Sequence, residues 1–372
     1  MTANPLTLPT RNDSMARQKA LGRRIVGVFP GRYPREIFWA LDLLPMEIWD
    51  PPIEVGRSGA HLQPTICSVV RLGLELVLQG KCDELDGLLF PHTCDSLQNL
   101  ASVVHDFLGS SKPCFFFYPP KAPFGEAARS FYRTELEALI LALEEHFGPL
   151  MADRLEKSVS RGRDLYRLLA SLYRERAGAG LDASNAAFYR AVRVVEYLHP
   201  DDGVPLLERF LEERKGKGAL AGPCVVLSGV LPNPAALLDA LDDLDVRVGD
   251  DDLLACGRRL PGASDTSTDP LEALTQSFFR SPACSSLNAP LVQRTEELLR
   301  RVRQCRARGV IFAAVKFCEP ELFSLPRLRE ALKEQGIPSL VLELEVNQPV
   351  SGQVWTRLEA FVELIAQNEA GS

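Results

Sequence analysis

Three cysteines stand where a thiolate could do chemistry. Cys94, in Phe90-Pro91-His92-Thr93-Cys94-Asp95-Ser96-Leu97, follows the apolar run 85–90 and precedes a helical pattern over 96–107. Cys318 leaves the strand-like run 309–315 in the same way, in Lys316-Phe317-Cys318-Glu319-Pro320, and Cys67 sits in the first turn of a helical stretch over 65–78. A thiolate at a helix N-terminus meets unpaired N–H groups and the positive end of the helix dipole. Both lower its pKa and suit it to metal. In an open parallel α/β sheet such strand-to-helix turns line the crevice at the carboxyl ends of the strands, where ligands bind. The three cysteines are too widely and unevenly spaced to match a compact zinc or iron–sulfur motif, so a shared site would have to be built by the fold.

The remaining candidates are plainer. Cys82, Cys114, Cys224, Cys256 and Cys305 read as packing residues, Cys114 and Cys224 because they fall inside strand runs. Cys284, in the loop Ser281-Pro282-Ala283-Cys284, is the reserve ligand. His92 could donate a hydrogen bond to a metal-bound sulfur or a substrate carbonyl, or be a solvated loop histidine. Asp95 reads as a helix-cap carboxylate. Gly178-Ala179-Gly180 and Gly216-Lys217-Gly218 neither follow a strand nor open a helix with a third Gly or a GK[ST], so a nucleotide reading of them is discarded.

The elements that must position these residues alternate. Apolar runs at 25–30, 46–49, 85–90 and 114–118 are separated by helical patterns at 34–44, 65–78 and 96–107. From 125 to 214 the character changes to long amphipathic segments rich in Leu, Ala, Glu and Arg. Strand-helix alternation then restarts, with strand runs at 224–228, 246–248, 310–315 and 339–344 and helices at 234–241, 290–308, 325–334 and 353–367. The expected fold is α/β: two doubly wound, flavodoxin- or Rossmann-like parallel-sheet domains with a helical insert. The expected division is a disordered lead-in over 1–20, an N-terminal α/β domain over 21–124, a helical linker over 125–219 and a C-terminal α/β domain over 220–372. No short-period repeat accompanies the recurrence.

Composition narrows the class. A chain of 372 residues that is 46% hydrophobic has material for two cores. A formal charge of -7 offers no basic excess for phosphate backbones, so nucleic acid is not an expected partner. No apolar run reaches the roughly 18 residues that cross a bilayer, and residues 1–13 lack the apolar core of a signal peptide. A cytoplasmic protein away from membranes is expected. Nine cysteines in a long chain do not resemble the disulfide framework of a small secreted domain.

The ordered set of motifs resembles the iron–sulfur subunits of the 2-hydroxyacyl-CoA dehydratase family, which includes subunits of ATP-dependent benzoyl-CoA reductase. The resemblance runs from Arg24 to Leu364. It is carried by Gly27-Val28-Phe29-Pro30 with Pro34-Arg35-Glu36-Ile37 and Leu44-Pro45, and by Ile66-Cys67-Ser68. Asp86-Gly87-Leu88-Leu89-Phe90-Pro91-His92-Thr93-Cys94-Asp95 and Asp250-Asp251-Asp252 follow. The last pieces are Gly309 through Glu319 and Gln353 with Thr356-Arg357-Leu358-Glu359-Ala360-Phe361.

The resemblance implies that Cys67, Cys94 and Cys318 hold one [4Fe-4S] cluster and leave one iron without a protein thiolate. It further implies an ATP-hydrolysing iron–sulfur activator protein that delivers one low-potential electron, an acyl-CoA substrate, and a homologous sister subunit in a heterodimer. The thioester carbonyl would become a ketyl radical anion, permitting loss of the α-hydroxyl group in a lyase, or ring reduction in the aromatic reductase branch. A relay subunit without its own substrate site is a further reading, and a cluster-free scaffold another. Beside the cysteines, Gln353 and Arg357 at the start of the last helix are expected to face the crevice. Glu54 and Ser58, in the loop before Cys67, are candidates to meet a substrate hydroxyl. A double-cubane relative is disfavoured by the lack of an adjacent cysteine pair.

Overall fold

The structure, a computed structural model, describes residues 7–218, 222–262 and 267–370, the last three by their backbone. The first strands arise from short runs of apolar and β-branched residues: β1 (Arg24–Val28), β2 (Leu43–Glu47), β3 (Gly87–Pro91) and β4 (Cys114–Phe117). They form one parallel sheet in the order β2-β1-β3-β4. The helices α2 (Arg35–Ala40), α3 (Ser68–Leu78) and α4 (Asp95–Ser102) connect them, and α4 runs on into a π-turn over Val103–Phe107.

The second sheet repeats the plan. Its strands are β5 (Cys224–Gly229), β6 (Arg247–Leu253), β7 (Gly309–Val315) and β8 (Ser339–Leu344), all parallel, in the order β6-β5-β7-β8. Their connections include α9 (Ala235–Asp243), α10 (Pro270–Phe279), α11 (Leu291–Cys305) and α12 (Glu319–Glu334), and the chain closes with α13 (Gly352–Ala370). Both sheets follow the flavodoxin-like order, as expected, in which ligands gather where the strand order reverses. The third strand of each sheet, β3 and β7, is the one that runs into Cys94 and Cys318.

Between the sheets lie α5 (Glu126–Phe147), α6 (Ala152–Ala177), α7 (Asn185–Val192) and α8 (Pro200–Arg214). They pack on both sides: α5 against β4 and α10, α6 against α2 and β6, α7 against α9. One apolar core runs from Ile25 and Phe38 through Leu136 and Leu172 to Leu227 and Ile311. The end of the helical stretch expected at 219 falls in residues 219–221, outside those described.

Two expectations about local order change. Of the lead-in expected to be disordered, residues 1–6 lie outside those described, but Arg11–Ala20 forms α1. Thr10 and Asp13 make a reciprocal capping box at its start. Its polar face is used, because Ser14 and Gln18 are buried and Arg17 and Gln18 both reach Asp202. The second change is β6, which extends beyond 246–248 through Asp250, Asp251 and Asp252, all buried. A strand tolerates three buried carboxylates only where they are paired. Arg301 holds Asp250, the Tyr173 and Tyr189 hydroxyls hold Asp251, and Arg258 and Arg294 hold Asp252.

The carboxyl ends of the two sheets face each other. Arg259, just after β6, pairs with Glu47 at the end of β2. Arg32, beyond β1, donates to the Arg258 and Pro282 carbonyls, and Arg71 of α3 pairs with Glu345 beyond β8.

Candidate cluster site

Each of the three cysteines is the N-cap of a helix: Cys67 of α3, Cys94 of α4, Cys318 of α12. No side chain caps these helices, so their first N–H groups remain to serve the sulfurs. The amides of Val69 and Val70 approach the Cys67 sulfur, those of Ser96 and Leu97 the Cys94 sulfur, and that of Glu321 the Cys318 sulfur. The three thiols also sense one another electrostatically: Cys67 feels Cys94, and Cys318 feels both. Phe317, immediately before Cys318, has φ 62°, a left-handed conformation that is costly for an aromatic residue and redirects the chain out of β7.

All three line one cavity of about 580 Å³. Cys67 and Cys94 contribute one side, with Thr93, Asp95, Ser96 and Lys121. Phe317, Cys318, Glu319 and Phe323 contribute another, and Ser285, Ser286, Asn288 and Ala289 close the remainder. Duplication of the fold makes sense of this division. Cys67 lies in the connection between β2 and β3, and the corresponding connection between β6 and β7 supplies residues 285–289. Three of four equivalent walls therefore bear a cysteine facing the cavity; the fourth does not.

The helix N-termini do not lower the pKa values as expected. Burial pushes the Cys67 thiol up to about 11, and burial likewise raises Cys94 and Cys318. The amides act in the opposite direction but lose to desolvation. Metal coordination removes the thiol proton outright, so these are properties of the metal-free site. Among the described residues no three His, Cys, Asp or Glu side chains are arranged to hold a single metal ion. A four-iron cluster takes its thiolates on separate irons and needs them farther apart. Three thiols, each at an uncapped helix N-terminus, around a cavity of this size are a donor set that fits such a cluster.

Other candidates are placed differently. Cys284 is 1% exposed and is absent from the cavity lining. Its sulfur lies 3.1 Å from Ser286 Oγ. Burial raises its pKa, but Arg32, Arg258 and Arg294 outweigh burial and hold it below the usual thiol range. His92 stacks edge-on against Tyr118 with its Nε2 buried and unpartnered, and does not line the cavity. Ser58 is fully buried with an unpartnered hydroxyl, in a loop whose amides at Gly56, Arg57 and Ser58 all donate to Glu75; Glu54 in that loop is exposed. Gln353 and Arg357, expected in the crevice, are exposed on α13 away from the cavity. Arg357 donates to the Val341 carbonyl on β8, an outer strand of its sheet with an unpaired edge.

Lys121 and Glu321 join the site without a clear mark in the sequence. Lys121 lines the cavity and bonds backbone carbonyls on both sides of it. Its one signal is faint, a lone lysine among the prolines of Pro119-Pro120-Lys121-Ala122-Pro123. Glu321, in the first turn of α12, joins Arg258, Arg294 and Ser285 in a buried network.

Comparison with known proteins agrees with the geometry. Residues 31–365 match the family described as 2-hydroxyglutaryl-CoA dehydratase, D-component. The chain belongs to this family. Similar proteins include the (R)-phenyllactyl-CoA dehydratase beta subunit of Clostridium sporogenes, 24% identical over 94% of both chains. The lactoyl-CoA dehydratase subunit beta of Anaerotignum propionicum is 27% identical over 92% of both. A benzoyl-CoA reductase subunit of Thauera aromatica is 27% identical over 90% of both. The D-component-family chain is thus an enzyme of the dehydratase and reductase type. Among its described residues no helix is long and apolar enough to cross a membrane.

Proposed function

We propose that Cys67, Cys94 and Cys318 hold one [4Fe-4S] cluster, and that the chain is a subunit of a 2-hydroxyacyl-CoA dehydratase. The carrying observation is the convergence of three helix-capping cysteines, drawn from both sheets, on one cavity. Bound there, such a cluster supplies one-electron chemistry at low potential, with one iron free of a protein thiolate. On this reading an acyl-CoA is the substrate, an ATP-hydrolysing activator the electron source and a homologous subunit the partner, and water is eliminated through a substrate ketyl radical. The relatives are named as subunits of enzymes that act on CoA thioesters, which supports a partner subunit and an acyl-CoA.

The chain's own residues have definable tasks in this scheme. The first-turn amides of α3, α4 and α12 lie near the cysteine sulfurs, free of any side-chain cap, and would stabilise added negative charge there. Leu291, Phe317 and Phe323 give the cavity mouth an apolar rim, which in a complex would exclude water. Residues 285–289 form the wall without a cavity-facing thiol, and would offer hydroxyl, amide and backbone groups to whatever the cavity holds. An aromatic acyl-CoA reductase subunit is the second reading, favoured by the equal 27% identity to a dehydratase and a reductase subunit.

The test is iron and acid-labile sulfide content, with electron paramagnetic resonance after reduction, on protein purified without oxygen. About four irons per chain are expected. Cys67→Ser, Cys94→Ser and Cys318→Ser should each lose them, while Cys114→Ser keeps them. An acyl-CoA should perturb the spectrum if the chain binds substrate itself. A folded, anaerobically prepared chain without iron overturns the assignment.

A further inference from the structure

We propose, resting on the three-cysteine reading above, that Lys121 and Glu321 are positioning residues for the cysteine ligands. They act through residues 284–288, which form a strut between the Cys94 loop and the first turn of α12. Sulfurs carried by two separate sheets keep a fixed separation only where something spans the gap between them.

One clamp is Lys121. Its Nζ donates to the His92 carbonyl (3.4 Å), the Thr93 carbonyl (2.8 Å) and the Ser286 carbonyl. An ammonium has three protons and no acceptor, and the two short contacts of Lys121, to Thr93 and Ser286, both go to backbone carbonyls. Its effect is to tie the two residues before Cys94 to the opposite half of the molecule. Backbone bonds beside it reinforce the tie: Ala122 N–H donates to the Leu287 carbonyl (2.8 Å), and Asn288 Nδ2 to the Ala122 carbonyl (3.3 Å).

The other clamp is Glu321. Ser285 Oγ, the next residue along the strut, donates to its carboxylate. Arg258, fully buried, grips Glu321 with one edge of its guanidinium and Asp252 of β6 with the other, and Arg294 lies against both carboxylates. Glu321 is three residues past Cys318, and its own amide donates to the Cys318 carbonyl (3.1 Å). A load on the strut is thus passed to the peptide that supports the ligand. The Cys284 sulfur, buried and 3.1 Å from Ser286 Oγ, does not line the cavity, so the segment braces the site without ligating it. Groups just behind a ligand govern metal affinity when they fix the ligand's orientation.

The test uses the full chain as Lys121→Met, Lys121→Arg, Glu321→Gln and Ser285→Ala, the last removing only one hydroxyl. Two quantities are read: the rate of iron loss to a ferrous chelator in anaerobic protein, and amide exchange at residues 94–98 and 318–322 in iron-free protein. Lys121→Met and Glu321→Gln should lose iron about 10- to 100-fold faster than wild type. Lys121→Arg should recover part of the loss, and Ser285→Ala should shift in the same direction by less. In iron-free protein, exchange should accelerate at 94–98 in Lys121→Met and at 318–322 in Glu321→Gln. Wild-type exchange at these amides in both variants overturns the strut, as does iron loss that merely tracks a lowered unfolding midpoint. If wild type holds no iron, the cluster reading falls, and the iron-free exchange still decides the strut.

Discussion

Glu47→Gln probes the contact that closes the two halves on each other. Glu47 ends β2 and is 2% exposed. Its carboxylate accepts from Tyr33 Oη (2.9 Å), Trp49 Nε1 (2.6 Å), Arg35 Nη2 (2.7 Å) and both Arg259 Nη atoms (2.6 and 2.5 Å). Burial alone would raise its pKa, but Arg259 and Arg35 outweigh burial and bring it from 4.5 to about 2. A shift of that size corresponds to about 3 kcal/mol of stability at neutral pH. Breaking a buried pair, which here leaves two buried guanidinium groups without their carboxylate, costs about 3–5 kcal/mol. With about 2.1 cal/mol/K of unfolding entropy per residue, a chain of this length loses roughly 1.3 °C for each kcal/mol, so the variant should melt roughly 4–6 °C lower. The sign with pH is definite. A carboxylate whose folded pKa is depressed stabilises fully above its unfolded value of 4.5, and that contribution is lost as pH falls towards about 2. Calorimetry of both proteins from pH 7 downward should therefore show two melting curves that converge in acid. A double-mutant cycle with Arg259→Met should show the two substitutions to be strongly non-additive. A Glu47→Gln protein within about 1 kcal/mol of wild type at pH 7, or a gap that persists into acid, would refute the argument.

Two further substitutions test the loops beside Cys94 and Cys67. A Cβ on Gly31 would lie 2.4 Å from Thr93 Oγ1 and 2.6 Å from the Pro91 Cβ. Gly31→Ala should thus cost about 1–3 kcal/mol by overpacking, seen as a lower denaturant midpoint, and should hasten iron loss by displacing the Thr93–Cys94 peptide. Glu75 is raised by burial but brought to about 2 by the amides of Gly56 and Ser58, so the 56–58 loop should be firm above pH 4.5 and loosen as pH falls towards 2. Glu75→Gln should show faster amide exchange at Gly56, Arg57 and Ser58 already at pH 7; unchanged protection there would contradict this role.

How much of the molecule is legible in the sequence depends on what holds each part. The eight strands overlap the runs expected for them where apolar residues hold them, since apolar periodicity is written locally, but β2 (Leu43–Glu47) begins inside the stretch expected to be helical to 44 and ends before the expected 49. The first helix escapes an apolar pattern because its residues are polar and its partner, Asp202, is remote in sequence, although the Thr10–Asp13 capping box is there to be read. Helix α10 is likewise absent from the expected elements despite Asp269 at its N-cap and Pro270 in its first turn. The acidic end of β6 lies beyond the strand run expected at 246–248, because what holds it is pairing with Arg258, Arg294 and Arg301 and not apolar packing. Arg357 misses the crevice for a geometric reason: the start of α13 follows the free edge of β8, where a backbone carbonyl takes its guanidinium.

The site separates the two kinds of information most sharply. That Cys67, Cys94 and Cys318 each open a helix is a local property, and it is visible in the sequence. Their convergence is topological: β3 and β7 hold the same rank in two sheets of the same order, and those sheets meet at their carboxyl ends. A duplicated order places the third-strand exits opposite one another, so the second cysteine of a pair can lie hundreds of residues away and leave no motif. The bracing is invisible for a different reason. Lys121 is held by carbonyl oxygens, and a carbonyl is the same at His92, Thr93 and Ser286 as anywhere else in the chain. Side chains that recognise backbone have no partner residue to betray them, so the groups that would brace the proposed ligands are those a sequence conceals best.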